Sequence, residues 1–111
     1  PMRMRAIHVP PRVVIDNGAS NTYTVIEING RDRPGLLHDV TAAMSEENLQ
    51  IAAAHITTYG VRAVDVFYVK DLFGLKITDK KRLEEIREHL LKGMKEAEAE
   101  AKALLDARIS A

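Results

Sequence analysis

The chain has 111 residues, 46% apolar and 29% charged, the balance of one folded domain with a single core and not of a disordered or fibrous chain. Sixteen Lys and Arg offset sixteen Asp and Glu, so no global field draws it to nucleic acid or anionic lipid, and neither partner is expected. Without cysteine it has no disulfide, thiolate nucleophile or Cys-based zinc site; without a long apolar run or signal segment it has no expected membrane partner, and a reducing cytoplasm is its natural setting.

Beginning at Pro1, the chain reads as part of a longer one, with residues 1–11 expected to be a poorly structured leader. Arg12 to Asp16 is a β-branched run, and Asn17-Gly18-Ala19-Ser20-Asn21 after it is turn-forming. Thr22 to Asn29 then alternates, with Thr24, Ile26 and Ile28 on one face and Tyr23, Glu27 and Asn29 on the other. The two segments predict a hairpin.

After Pro34-Gly35 the spacing becomes helical, with Leu36, Leu37, Val40, Met44 and then Leu49 assigned to one apolar face. Ile51 to Tyr59 and Arg62 to Lys70 predict two strands joined through Gly60, which accepts positive φ without penalty. Asp65 is the one acid within the second of these, and two readings stand open for it: buried with a shifted pKa or, more commonly for an acid so placed, facing solvent on the open side of the sheet. Phe73-Gly74 marks a loop, and Thr78 or Asp79 caps a helix carried by Leu83, Ile86 and Leu90.

The same three-and-four spacing continues through Met94, Ala97, Ala101 and Leu104 in an Ala/Glu/Lys-rich stretch. Two readings stand open here: a very long helix whose stripe needs a partner, or a frayed tail beyond Gly93. The expected division is 12–91 as the domain and 92–111 as a helical extension. The order strand, strand, helix, strand, strand, helix predicts an α+β fold: a four-stranded antiparallel sheet with two helices on one face. A ferredoxin-like βαββαβ unit would place its last strand antiparallel to its first, at the sheet edge. No strand follows the second helix, and Val13-Val14-Ile15 can fill that edge instead.

Catalytic constellations are not legible. His8, His38, His55 and His89 lack ligand spacing, and no metal or cofactor site is expected; His38 and His89 read as solvated helix residues. The carboxylates Glu84, Glu85, Glu88, Glu96, Glu98 and Glu100 read as helix surface, and no Gly-rich phosphate loop or nucleophile elbow is present. The feature that stands out is the turn Arg31-Asp32-Arg33-Pro34-Gly35-Leu36. Gly35 permits close backbone approach and Pro34 fixes its own φ, so the first helix amides can meet a carboxylate with the helix dipole behind them. Asp32 offers an acceptor for an ammonium or amide, with Asn29 and Arg33 as nearby polar groups. A plain capped helix start, in which Asp32 bonds those amides itself, fits the bare turn equally well.

Asn29-Gly30-Arg31-Asp32-Arg33-Pro34-Gly35-Leu36-Leu37 resembles the signature turn of ACT domains. With Ala53 to Gly60, Arg62 to Val69 and Asp71-Leu72-Phe73-Gly74, the chain from about Pro11 to Leu91 is similar to the C-terminal ACT repeat of bacterial PII uridylyltransferase/uridylyl-removing enzymes. The resemblance implies a ferredoxin-like ACT domain that is itself no enzyme but regulates a larger nucleotidyltransferase in nitrogen signalling. It implies glutamine, or another small amino acid, held by Asn29, Asp32, Arg33, Gly35, Leu36 and Leu37. It also implies a second ACT domain, in a homodimer or a neighbouring repeat, meeting the edge strand at His55, Ile56 and Thr57, with PII engaged only through the parent enzyme. The alternatives are a dimerisation or docking module without a ligand, built on the Leu83 to Leu104 stripe, or an ACT domain of another amino-acid-regulated enzyme.

Overall fold

The computed structural model describes residues 9–110; most of the expected leader, with His8, lies outside them. The elements run β1 (Arg12–Asp16), β2 (Thr24–Arg31), α1 (Leu36–Glu46), β3 (Gln50–Tyr59), β4 (Arg62–Lys70) and α2 (Lys80–Ser110). They form one antiparallel sheet in the order β1-β2-β4-β3. β1 therefore occupies the edge beside β2, as the missing last strand required, with Val13 opposite Ile28 and Ile15 opposite Ile26.

Register decides what lies under the helices. Ile26 pairs with Phe67 and Ile28 with Asp65, and in an antiparallel pair such residues share a face. Ile26, Ile28, Phe67 and Val69 are buried with Leu36, Val40 and Met44 of α1 and Ile86, Leu90 and Met94 of α2 in one core. Both helices thus cover the same face. Thr24 is buried among these apolar groups, and its Oγ1 accepts the Ile77 N–H at 3.0 Å, tying the approach to α2 onto β2.

α1 ends where Asn48 takes a left-handed conformation (φ 58°) and the Leu49 N–H returns to Met44 O at 3.0 Å, with the Leu49 side chain buried. α2 is a single helix of 31 residues, capped by Asp79, whose Oδ1 accepts the Lys81 N–H at 3.3 Å, and it runs through Gly93 unbroken. Met94 is buried against β2, where a Cβ on Gly30 would fall 2.9 Å from its Cε. From Ala101 onward the described side chains are exposed, Leu104, Leu105 and Ile109 among them.

Within the two helices, Leu37 and His89 differ from the sequence expectation. Leu37 is 44% exposed and Ala43 takes the place in the core that the apolar series gave it: Leu36, Val40, Ala43 and Met44 already complete the narrow inward stripe of an 11-residue helix. His89 is not a solvated helix residue. Its Nδ1 lies 2.8 Å from Glu47 Oε1, and Arg82 Nη2 donates to Glu47 O at 2.6 Å, so α2 grips the C-terminal end of α1 there.

Candidate functional site

The site begins with the way α1 starts. Gly35 is its N-cap, held at φ 81°, and no side chain bonds the first-turn amides. A left-handed φ costs a residue with a Cβ roughly 1–2 kcal/mol, so glycine suits the position. The ladder opens with Asp39 N–H to Gly35 O at 2.9 Å, and by helix geometry the Leu37 and His38 amides precede it and point out of the helix end. The capped-start reading, with Asp32 bonding those amides, is therefore not what forms. The Asp32 N–H donates to Val61 O at 2.8 Å, pinning the turn to the β3–β4 hairpin.

A cavity of about 240 Å³ opens beside this turn, lined by Asp32, Arg33, Gly35, Leu36, Leu37 and His38 of the turn and first helical turn, Ile56 and Thr58 of β3, and Ala63 and Asp65 of β4. That volume lies below the roughly 300–1,000 Å³ of drug-sized pockets and suits a single small molecule. Five residues expected from the motif converge here: Asp32, Arg33, Gly35, Leu36 and Leu37. Asn29 does not. On β2 it alternates with the buried Ile28, so it stands on the other face of the sheet, where its Nδ2 donates to Glu27 Oε2 at 2.8 Å. The expected edge residues divide likewise: Ile56 lines the cavity, whereas His55 and Thr57 pair with Val66 and Val64 on the opposite face.

Asp65 takes the buried of its two readings and not the more common solvent-facing one. It is 3% exposed, on the helix side of β4. Burial raises its carboxyl above the ordinary value, the Thr57 N–H (3.4 Å to Oδ1) opposes that rise, and the charge of Asp32 adds to it. Arg33 Nη2 is 2.9 Å from Asp39 Oδ2 and Nη1 donates to Pro34 O at 3.1 Å, so the guanidinium braces the turn. That bond to Arg33 is the main reason the Asp39 carboxyl titrates below its ordinary value. The cavity thus joins outward-pointing amides at one side to two carboxyl groups, Asp32 and Asp65. Among the described residues no group of three or more His, Asp or Glu could hold a metal ion. No helix among them is long and apolar enough to cross a membrane.

A search of protein families matches residues 19–97 to the ACR family N-terminal ACT domain. The chain belongs to the ACT family. The matched span holds the turn, the cavity and α2 as far as its last core contact at Met94. Curated relatives agree with the resemblance carried by the turn and the β4 string. The chain is 72% identical over 95 residues to a bifunctional uridylyltransferase/uridylyl-removing enzyme of Gluconobacter oxydans (86% of this chain, 10% of that protein). It is 60% identical over 97 residues to the enzyme of that name from Azospirillum brasilense (87% and 10%). A third, from Caulobacter vibrioides strain NA1000, is 46% identical over 101 residues (91% and 11%). The chain thus spans about a tenth of the length of these relatives. Among solved structures, an unknown protein from Galdieria sulphuraria superimposes with a TM-score of 0.52 at 20% identity, over 63% of this chain and 37% of that one, a likeness of fold alone.

Proposed function

We propose that this ACT domain senses glutamine and regulates a uridylyltransferase/uridylyl-removing enzyme, one that attaches UMP to the PII signal protein and removes it again in the cytoplasm. The observation that carries this reading is the uncapped start of α1 opening into a cavity of amino-acid size. The outward amides suit an α-carboxylate, with the helix dipole behind them. Asp32 suits an α-ammonium. The names of the relatives supply the parent activity, and the turn sequence supplies the allosteric role. Which ACT repeat of the parent the chain represents follows the same resemblance, which favours the C-terminal one.

The cavity is bounded on one side by β3, whose residues are exposed along its length apart from the half-buried Thr57. A second ACT domain pairing along this edge through its main chain would close the cavity. Glutamine would then sit between two domains and report on their association. Isothermal titration of the 111-residue chain, at concentrations where it self-associates, tests the reading. Glutamine should bind, and Asp32→Ala should weaken it by about tenfold or more, the scale of a lost charge-assisted hydrogen bond. No heat at millimolar glutamine, with a folded dimer present, would overturn it.

A second reading is favoured by one observation. Leu104, Leu105 and Ile109 are exposed on the distal half of α2, and a docking module would use that stripe and ignore amino acids.

A further inference from the structure

The inner wall of the cavity holds a carboxyl group that the turn does not supply. Asp65 lies on β4 between Ile28 of β2 and Ile56 of β3, buried among apolar neighbours. The N–H of Thr57 reaches its Oδ1 only at 3.4 Å, long for a hydrogen bond. Neither basic side chain lining the cavity is turned to it: Arg33 is held by Asp39 at 2.9 Å, and His38 faces Asp39 at 3.6 Å. A carboxyl taken out of water without a cation needs a donor. A ligand entering this cavity can bring one.

Glutamine and glutamate differ at a single group, which is N–H bearing and neutral in one and anionic in the other. A site that separates them needs an acceptor for the first that repels the second. We propose that Asp65 is the specificity-determining residue of the cavity, accepting the side-chain amide N–H of glutamine and, together with Asp32, excluding glutamate by charge. The proposal rests on the reading of the cavity as the glutamine site. It assigns the α-carboxylate to the outward amides of Leu37 and His38 and the α-ammonium to Asp32, so each polar group of the ligand meets a different wall. A purely structural Asp65, holding β3 through the Thr57 N–H, would make no distinction among ligands of one shape.

The test is competitive titration of the self-associated chain with glutamine, glutamate and the γ-methyl ester of glutamate, which is neutral and shaped like glutamine but lacks the side-chain N–H. Glutamine should bind at least about tenfold more tightly than either, because a site built for an N–H leaves its acceptor unpaired with the analogues. In Asp65→Asn the amide can turn its own N–H toward a carboxylate, and the preference for glutamine over glutamate should fall by about tenfold. An ester that binds as tightly as glutamine overturns the assignment and leaves the glutamine reading standing; so does an Asp65→Asn variant with the native preference. Should that variant fail to fold by circular dichroism, the ester comparison on the unaltered chain decides alone. A folded, self-associated chain that takes up no glutamine overturns both.

Discussion

Asp65 bears a second consequence that needs no ligand. Its folded-state carboxyl titrates above the ordinary value of 3.8, chiefly because it is buried, whereas in the unfolded chain it returns to that value. Below the ordinary value both states hold the proton, and the position contributes its full stability. As pH rises toward the raised pKa the unfolded chain releases the proton first, so the folded state loses ground and stays lower above it. In urea denaturation across pH 3.5 to 8, on about that range, the unliganded native chain should therefore lose stability relative to Asp65→Asn as pH rises. The two should converge at the acid end. A constant difference across the range would show that the buried carboxyl is matched by a cation after all. The residue's position was hard to read from sequence because β4 is apolar on both faces: Val64, Val66 and Tyr68 alternate with Ala63, Asp65, Phe67 and Val69. Period-two patterning assigns no inside to such a strand. The answer lay in its register against β2, where Asp65 faces Ile28, and register is set by tertiary pairing. The turn was legible because Pro34 and Gly35 act locally on the backbone. What local reading left open was whether Asp32 caps the helix; the helix starts at Gly35 with no side-chain cap bond, and the Asp32 main chain is tied to the β3–β4 hairpin at Val61 O.

At the scale of elements, both hairpins and both helices were readable from period and punctuation, and the displaced edge strand followed from counting strands against the ferredoxin-like order. The length of α2 was the open question. The three-and-four spacing continued past Gly93, but spacing alone does not say how much of a helix is packed. The structure distinguishes the two parts: Met94 is 4% exposed and Leu104 is 64% exposed on the same helix. Met94 is accommodated because β2 carries a glycine, Gly30, directly beneath its Cε. That contact joins the middle of a local helix to a strand sixty-four residues earlier in sequence, and no window of helical periodicity reports it. Met94→Ala should cost about 2–5 kcal/mol, the range for truncating a buried long side chain, read as a lower urea midpoint with an unchanged slope. A loss within the scatter of surface substitutions would mean that α2 leaves the core before Gly93.

The whole molecule is drawn out, 53 Å long and 24 by 21 Å across, because the last turns of α2 project beyond the sheet. Among the uncovered surfaces of the described residues, the β3 edge at one side and the distal α2 stripe at the end make opposite predictions about association. Pairing along β3 is continuous with the cavity, since Ile56 and Thr58 belong to both. Its main-chain N–H and C=O groups along the open side are unmatched within the sheet, where β3 neighbours only β4. The α2 stripe is thinner, with alanines at Ala97 and Ala101 before its leucines, and buries little per turn. A truncation separates the two provided it falls beyond Met94, because a shorter chain would lose a core residue and unfold for reasons unrelated to association. Ending the chain at Ala97 removes Leu104, Leu105 and Ile109 and keeps Met94 in place. If association runs through β3, sedimentation equilibrium should then show the truncated and the full chain self-associating alike, with glutamine strengthening that association by mass action, as a ligand shared between two domains would. A truncated chain that becomes monomeric while remaining folded would place the interface on the helix, and the cavity would have to bind its ligand within one domain.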